Sequence, residues 1–95
     1  MAEIHLFRDP NFSGGSIIKV ADDDDLHNDG FGDVTSSVIV TSGTFTLFQD
    51  KKFKGFSFTV CKTGGPNSDG LYPNAQTLAG RGDRISSLKV NSDLP

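Results

Sequence analysis

The chain has 95 residues, with 12 Asp and Glu against 9 Lys and Arg and a formal net charge of −3. That length suits one compact domain, and the acidic balance argues against a nucleic-acid partner, whose binder carries a basic face. A single cysteine, Cys61, excludes an internal disulfide, and no apolar run approaches the ~20 residues of a membrane span. The N-terminal "MAEIHLF" lacks the basic, apolar and small-residue succession of a signal peptide. The expected setting is cytoplasmic, or part of a larger exported protein. Eleven glycines, eight phenylalanines and no tryptophan favour short strands joined by tight turns.

In chain order, "EIHLF" (3–7) predicts a strand with Ile4 and Leu6 on one face. "RDPNFSGG" is a turn, "SIIKV" (16–20) a second strand, and "ADDDDLHNDGFG" (21–32) a solvated acidic loop. "VTSSVIV" (34–40) predicts a third strand, with Val34, Ser36, Val38 and Val40 on one side. The pattern then restarts: strand "TFTLF" (44–48), turn "QDKKFKG" (49–55), strand "FSFTV" (56–60), a long loop (61–83) and strand "ISSLKV" (85–90). "NAQTLAG" (74–80) has room for one helical turn.

The restart is a repeat. Phe7, Phe12 and Gly14 recur as Phe48, Phe53 and Gly55, each 41 positions on, and Asp33, Ser36 and Ser37 recur as Asp83, Ser86 and Ser87, each 50 positions on. The nine extra residues of the second half therefore lie between Gly55 and Asp83. Each half is expected to hold four strands, the fourth being short and irregular within 21–33 and 61–82. In F-x-x-x-x-F-x-G, the first ring ends a strand, the second covers a turn, and the glycine takes an angle closed to side chains.

Paired F-x-x-x-x-F-x-G phrases, each followed by D-x-x-S-S, resemble a βγ-crystallin domain of the microbial calcium-binding type across residues 3–91. The resemblance implies an all-β fold, a β-sandwich of two Greek-key motifs in a single domain over 1–95, with the first motif at about 3–41 and the second at about 43–91. It also implies two Ca2+ ions, held through the pattern N/D-N/D-x-x-S/T-S, here "GDVTSS" and "GDRISS". Gly32 and Gly82 depart from that pattern at its first position. Carried over residue by residue, Asp33 and Asp83 resemble carboxylate ligands and Ser36 and Ser86 hydroxyl ligands. Val34, Arg84, Arg8 and Gln49 resemble donors of main-chain carbonyls. Ser37 and Ser87 resemble structural residues that bond the folded hairpin. In such domains the ligands of one site come from both Greek keys. A hard ion that takes six to eight oxygens at ~2.3–2.6 Å suits these donors. With about one carboxylate per site, the expected affinity is on the order of micromolar to sub-millimolar. The resemblance further implies a non-enzymatic monomer.

Other motifs carry less. An EF-hand register over Asp25, His27 and Asp29 lacks the terminal Glu and flanking helices. "RGD" (81–83) matches an adhesion tripeptide, but Asp83 is already assigned. His5 and His27 have no zinc-ligand spacing. Cys61 reads as half-buried, and "GGPNSDG" (64–70) is not a phosphate loop. Two other readings stay open: a structural domain of the same fold without calcium, and a carbohydrate- or partner-binding sandwich using the 61–82 loop.

Overall fold

The computed structural model describes residues 1–80 and 84–93. The strands are β1 (Glu3–Asp9), β2 (Ser13–Lys19), β3 (Ser37–Ser42), β4 (Thr44–Asp50), β5 (Lys54–Cys61), β6 (Leu71–Tyr72) and β7 (Ser87–Ser92). They form two antiparallel sheets, ordered β2-β1-β3-β6 and β5-β4-β7. The result is a β-sandwich of two Greek-key motifs.

Each motif lends its short strand to the other sheet. β6, from the second repeat, pairs with β3 of the first through Val38–Tyr72 and Ile39–Leu71. In return Asp23, from the first repeat, bridges Leu88 of β7. These are the two irregular strands expected within 21–33 and 61–82. Their exchange makes each sheet depend on both halves of the chain.

Period-2 alternation buries one face of each central strand. Ile4, Leu6, Val38 and Val40 meet Phe45, Leu47, Val60 and Leu88 between the sheets. Leu26 and Leu78 close the core from two 3-10 turns, Leu26–Asp29 and Ala75–Leu78. The second turn falls where "NAQTLAG" predicts one and is capped by Asn74, whose side chain accepts from the Thr77 N–H.

Several strand limits differ from the sequence reading. The hairpin strands run closer to their turns, so β2 starts at Ser13 and β5 at Lys54. β3 starts at Ser37 rather than Val34, and β7 at Ser87 rather than Ile85. The expected face also breaks here: Thr35 and Ser37 are buried while Val34 is only half-buried. Residues 33–36 cross between elements, with Asp33 at φ 59°, and leave the pleat. The acidic run is likewise more than a solvated loop. Asp22 accepts from the Val90 N–H, Asp23 sits in the β7 bridge, and the Asp24 carbonyl accepts from Lys52 N–H.

The two hairpins are folded over in the same way. Asn11 and Phe12 in one, and Lys52 and Phe53 in the other, all have φ near +60°. This left-handed backbone is costly for side-chain-bearing residues. The edge-to-face ring pairs Phe7–Phe12 and Phe48–Phe53, with centroids 5.9 and 5.7 Å apart, offset that cost. Gly14 and Gly55 follow at φ +76° and +80°, where a Cβ would lie 2.5 Å from Asp9 Oδ2 or Asp50 Oδ2. The hydroxyl of the last motif serine clamps each fold. Ser37 Oγ accepts from Phe12 N–H (2.9 Å) and donates to the Asp9 carbonyl (2.7 Å). Ser87 Oγ does the same for Phe53 N–H (3.1 Å) and the Asp50 carbonyl (2.6 Å).

Ser87→Ala leaves a main-chain donor and acceptor without their hydroxyl in a part-buried setting, where each loss costs about 1–3 kcal/mol. The expected result is a fall in Tm of about 10 °C or more for a domain of this size, measurable by differential scanning calorimetry. A change within 2 °C would show that the clamp carries little.

Candidate metal site

The clamps bring each D-x-x-S-S phrase against the hairpin of its own repeat. Ser36 N–H donates to the Phe7 carbonyl (2.8 Å) and Ser86 N–H to the Phe48 carbonyl (2.9 Å). Arg8 and Gln49, the residues just after those phenylalanines, are thereby set beside the two phrases. A third bond joins the repeats: Asp33 N–H donates to the Ile85 carbonyl (3.0 Å). The left-handed turn at Asp33 then carries its carboxylate to the other repeat, where Ser86 Oγ donates to Asp33 Oδ1 at 3.1 Å.

Around this pair lies an open cleft of about 500 Å³, lined by His27, Asp33, Gln49, Asp50, Lys51, Arg84 and Ser86. Four of the residues singled out from the sequence are therefore together: Asp33, Gln49, Arg84 and Ser86. Arg8, Val34 and Ser36 occupy the repeat-related turn. Their expected partner, Asp83, lies outside the described residues, as do Gly82 and the "RGD" tripeptide. The Arg8 guanidinium turns away from its own main chain, donating to the Gly30 carbonyl (2.8 Å) and lying 4.7 Å from the Phe31 ring centre.

His27 is the lining residue that sequence reasoning missed. Asp25 caps its turn, the carboxylate accepting from His27 N–H at 3.0 Å. The imidazole lies flat against Gly32, where a Cβ would overlap ring atoms Nδ1, Cγ and Cε1. Its far nitrogen, Nε2, reaches 3.3 Å from Ser86 Oγ and 3.9 Å from Asp33 Oδ2. Gly32, the departure at the first motif position, is therefore the floor on which His27 rests. The sequence signal was weak: a histidine in an acidic loop, five residues before an unexpected glycine.

Lysines hold the loop that carries His27. Lys19 bonds Asp23 Oδ2 at 2.6 Å and also Asp29, while Lys51 sits 3.9 Å from Asp25 Oδ2. Burial alone would lower the Lys19 pKa, but the bonds to Asp23 and Asp29 outweigh it and raise the pKa above the usual lysine range. For Asp23, burial favours the neutral acid, yet the Lys19 bond and the Asp25 N–H prevail and hold the carboxyl below its ordinary range. At the cleft itself, the Asp33 side chain is 57% exposed. Water can therefore complete the shell of a bound cation, and salt will screen its charge.

The chain matches known proteins over most of its length. The family model for Beta/Gamma crystallin covers residues 3–90. A beta/gamma-crystallin of Ciona intestinalis is 37% identical over 89 residues, spanning 94% of this chain and 98% of that protein. Its kind is also represented by a solved Ciona intestinalis beta gamma crystallin, which superposes with a TM-score of 0.83 at 36% identity over 94% of this chain and 99% of that one. Beta-crystallin B2 of Aquarana catesbeiana is 29% identical over 94 residues, 97% of this chain but 42% of the longer relative. The chain belongs to the beta/gamma crystallin family.

Two outcomes test the local geometry. Gly32→Ala drives a methyl into the His27 ring, so the two positions are expected to couple: Gly32→Ala lowers Tm in the native background and is relieved when His27→Ala is also present. A double-mutant cycle by urea melts should give a coupling of about 1 kcal/mol; additivity would place the ring elsewhere. The second outcome concerns Asp23. Its folded pKa lies below the unfolded one, so its contribution is full above the ordinary aspartate range and lost as pH falls through the folded value. Asp23→Asn should cost about 0.5–1 kcal/mol near neutral pH. In melts carried downward from about pH 6, that gap closes below pH ~4; a gap constant to pH ~2 would sink the assignment.

Proposed function

We propose that this chain is a non-enzymatic calcium-binding βγ-crystallin domain, with two sites built from the paired D-x-x-S-S phrases, in which the ion stabilises the fold. One site uses the Asp33 carboxylate, the Ser86 hydroxyl and the main-chain carbonyls of Gln49 and Arg84. Its repeat-related twin uses Asp83, Ser36 and the carbonyls of Arg8 and Val34.

The observation that supports this most is the bond across the repeats, Ser86 Oγ to Asp33 Oδ1, at the centre of a water-accessible cleft. The donor set is oxygen-rich with one carboxylate, and the solvent-open geometry leaves room for waters, as a large hard cation requires. With about one carboxylate per site, weak and readily exchanged binding is expected. The bond also defines what calcium would change. The hydroxyl keeps a lone pair for an ion while its O–H points at the carboxylate, so a cation here would link the two repeats through the metal as well.

A ligand that binds the folded state alone at ~100 times its dissociation constant adds about 2.7 kcal/mol per site. Metal-stripped protein titrated with calcium, with magnesium as control, is therefore expected to release or absorb heat at two equivalents and to gain about 10 °C or more in Tm. Asp33→Ala should halve the stoichiometry, and Asp33→Ala with Asp83→Ala should abolish the gain while leaving the metal-free Tm close to native. No heat and no Tm rise at millimolar calcium would instead make this a structural domain without the ion.

A further inference from the structure

We infer that His27 makes the Asp33–Ser86 site a mixed nitrogen–oxygen site that accepts a borderline first-row divalent cation, of the Co2+, Ni2+ or Zn2+ class, in competition with calcium. The inference rests on the site proposed above but concerns a residue that the paired-motif pattern does not contain.

Three features carry it. First, the imidazole edge faces the cleft: Nε2 is 3.9 Å from Asp33 Oδ2 and 3.3 Å from Ser86 Oγ. An ion bound to one nitrogen and one carboxylate oxygen at ~2.0–2.2 Å each holds the two donors roughly 2.9–3.5 Å apart at octahedral or tetrahedral angles. The histidine and the aspartate are a few tenths of an ångström to about 1 Å outside that span, and both are partly exposed, at 38% and 57%, so side-chain rotation can close the gap once the ring proton moves to Nδ1 and frees the Nε2 lone pair. Secondly, the ring is held in place. Its Nδ1 face lies on Gly32, a surface that any larger residue would obstruct, and its backbone is capped by Asp25. Thirdly, the sequence has two histidines, and the other, His5, is bonded to Glu3 at 2.8 Å on β1. The nitrogen donor is accordingly a property of one site, and the repeat symmetry of the two sites is broken by it.

Imidazole favours borderline ions over hard ones, whereas carboxylate and carbonyl oxygens suit calcium. The same cleft can thus serve both classes with different donors. Calcium would draw on Asp33, Ser86 and carbonyls; a first-row ion would draw on His27 and Asp33 with waters. With two strong side-chain donors, the affinity for the first-row ion is modest and readily reversed.

Nickel is a suitable probe, titrated by calorimetry and followed through the imidazole resonances of the intact chain, in native protein, His27→Ala, His5→Ala and Cys61→Ser. The expected result is a loss of about tenfold or more in Ni2+ affinity in His27→Ala. Calcium affinity in that variant should stay within about threefold of native, His5→Ala and Cys61→Ser should leave Ni2+ affinity unchanged, and added calcium should displace Ni2+. Equal Ni2+ affinity in native protein and His27→Ala, or a loss that follows His5 or Cys61 instead, overturns the inference. These outcomes separate it from the calcium reading. If calcium stabilises the native chain but not the Asp33→Ala, Asp83→Ala double variant while His27→Ala leaves Ni2+ binding intact, this inference alone fails. If Ni2+ binding follows His27 while calcium never raises Tm, the calcium reading alone fails.

Discussion

Two serine hydroxyls, each gripping a hairpin from a distant strand, organise the molecule. Ser37 and Ser87 each accept from the amide of a phenylalanine in left-handed conformation and donate to the carbonyl three residues before it. That clamp, together with the Phe7–Phe12 and Phe48–Phe53 ring pairs, holds a backbone that opposes the ordinary preference of side-chain-bearing residues. With it, each F-x-x-x-x-F-x-G phrase is tied to the D-x-x-S-S phrase of its own repeat. The residue after the first phenylalanine then lies beside the motif. Packing and site geometry share one cause.

The second organising constraint is exchange between repeats. Asp23 joins the sheet of the second repeat, and Leu71–Tyr72 joins that of the first. The crossing places Asp33 N–H on the Ile85 carbonyl and its carboxylate on Ser86. Neither repeat alone can assemble the cleft, since its acid comes from one half and its hydroxyl from the other. A cation bound there would strengthen the same contact that unites the halves and so would stabilise the fold.

The internal symmetry is good but incomplete, and its lapses are informative. Ile85 is a buried apolar residue where the first repeat has Thr35, which is buried too; among the described residues the Thr35 hydroxyl has no hydrogen-bond partner. The loop before Asp33 carries a histidine that reaches the cleft and is anchored by Lys19 through Asp23 and Asp29. One repeat thus places an imidazole nitrogen beside the Asp33 carboxylate and the Ser86 hydroxyl. Its position depends on Gly32, the residue that looked like a defect in the motif.

The hairpins, the two-fold repeat, the apolar alternation of Ile4 and Leu6 or Phe45 and Leu47, and the identity of the clamping serines were legible in the sequence. They are local matters: period-2 burial, turn chemistry and fixed offsets act over a few residues. The strand starts at Ser37 and Ser87 were misjudged because β-branched and apolar residues before them continue the pattern while the backbone has already left the pleat. What the sequence by itself determined was the family of fold and the two repeated phrases that the fold sets against its hairpins. Which aspartate faces which serine, which strands cross between sheets, and that His27 stands over Gly32 beside Ser86 were decided by tertiary structure alone. Those contacts join residues up to 65 positions apart, as between Asp23 and Leu88, or rest on how a ring packs against a bare backbone, and neither leaves a periodic or compositional mark.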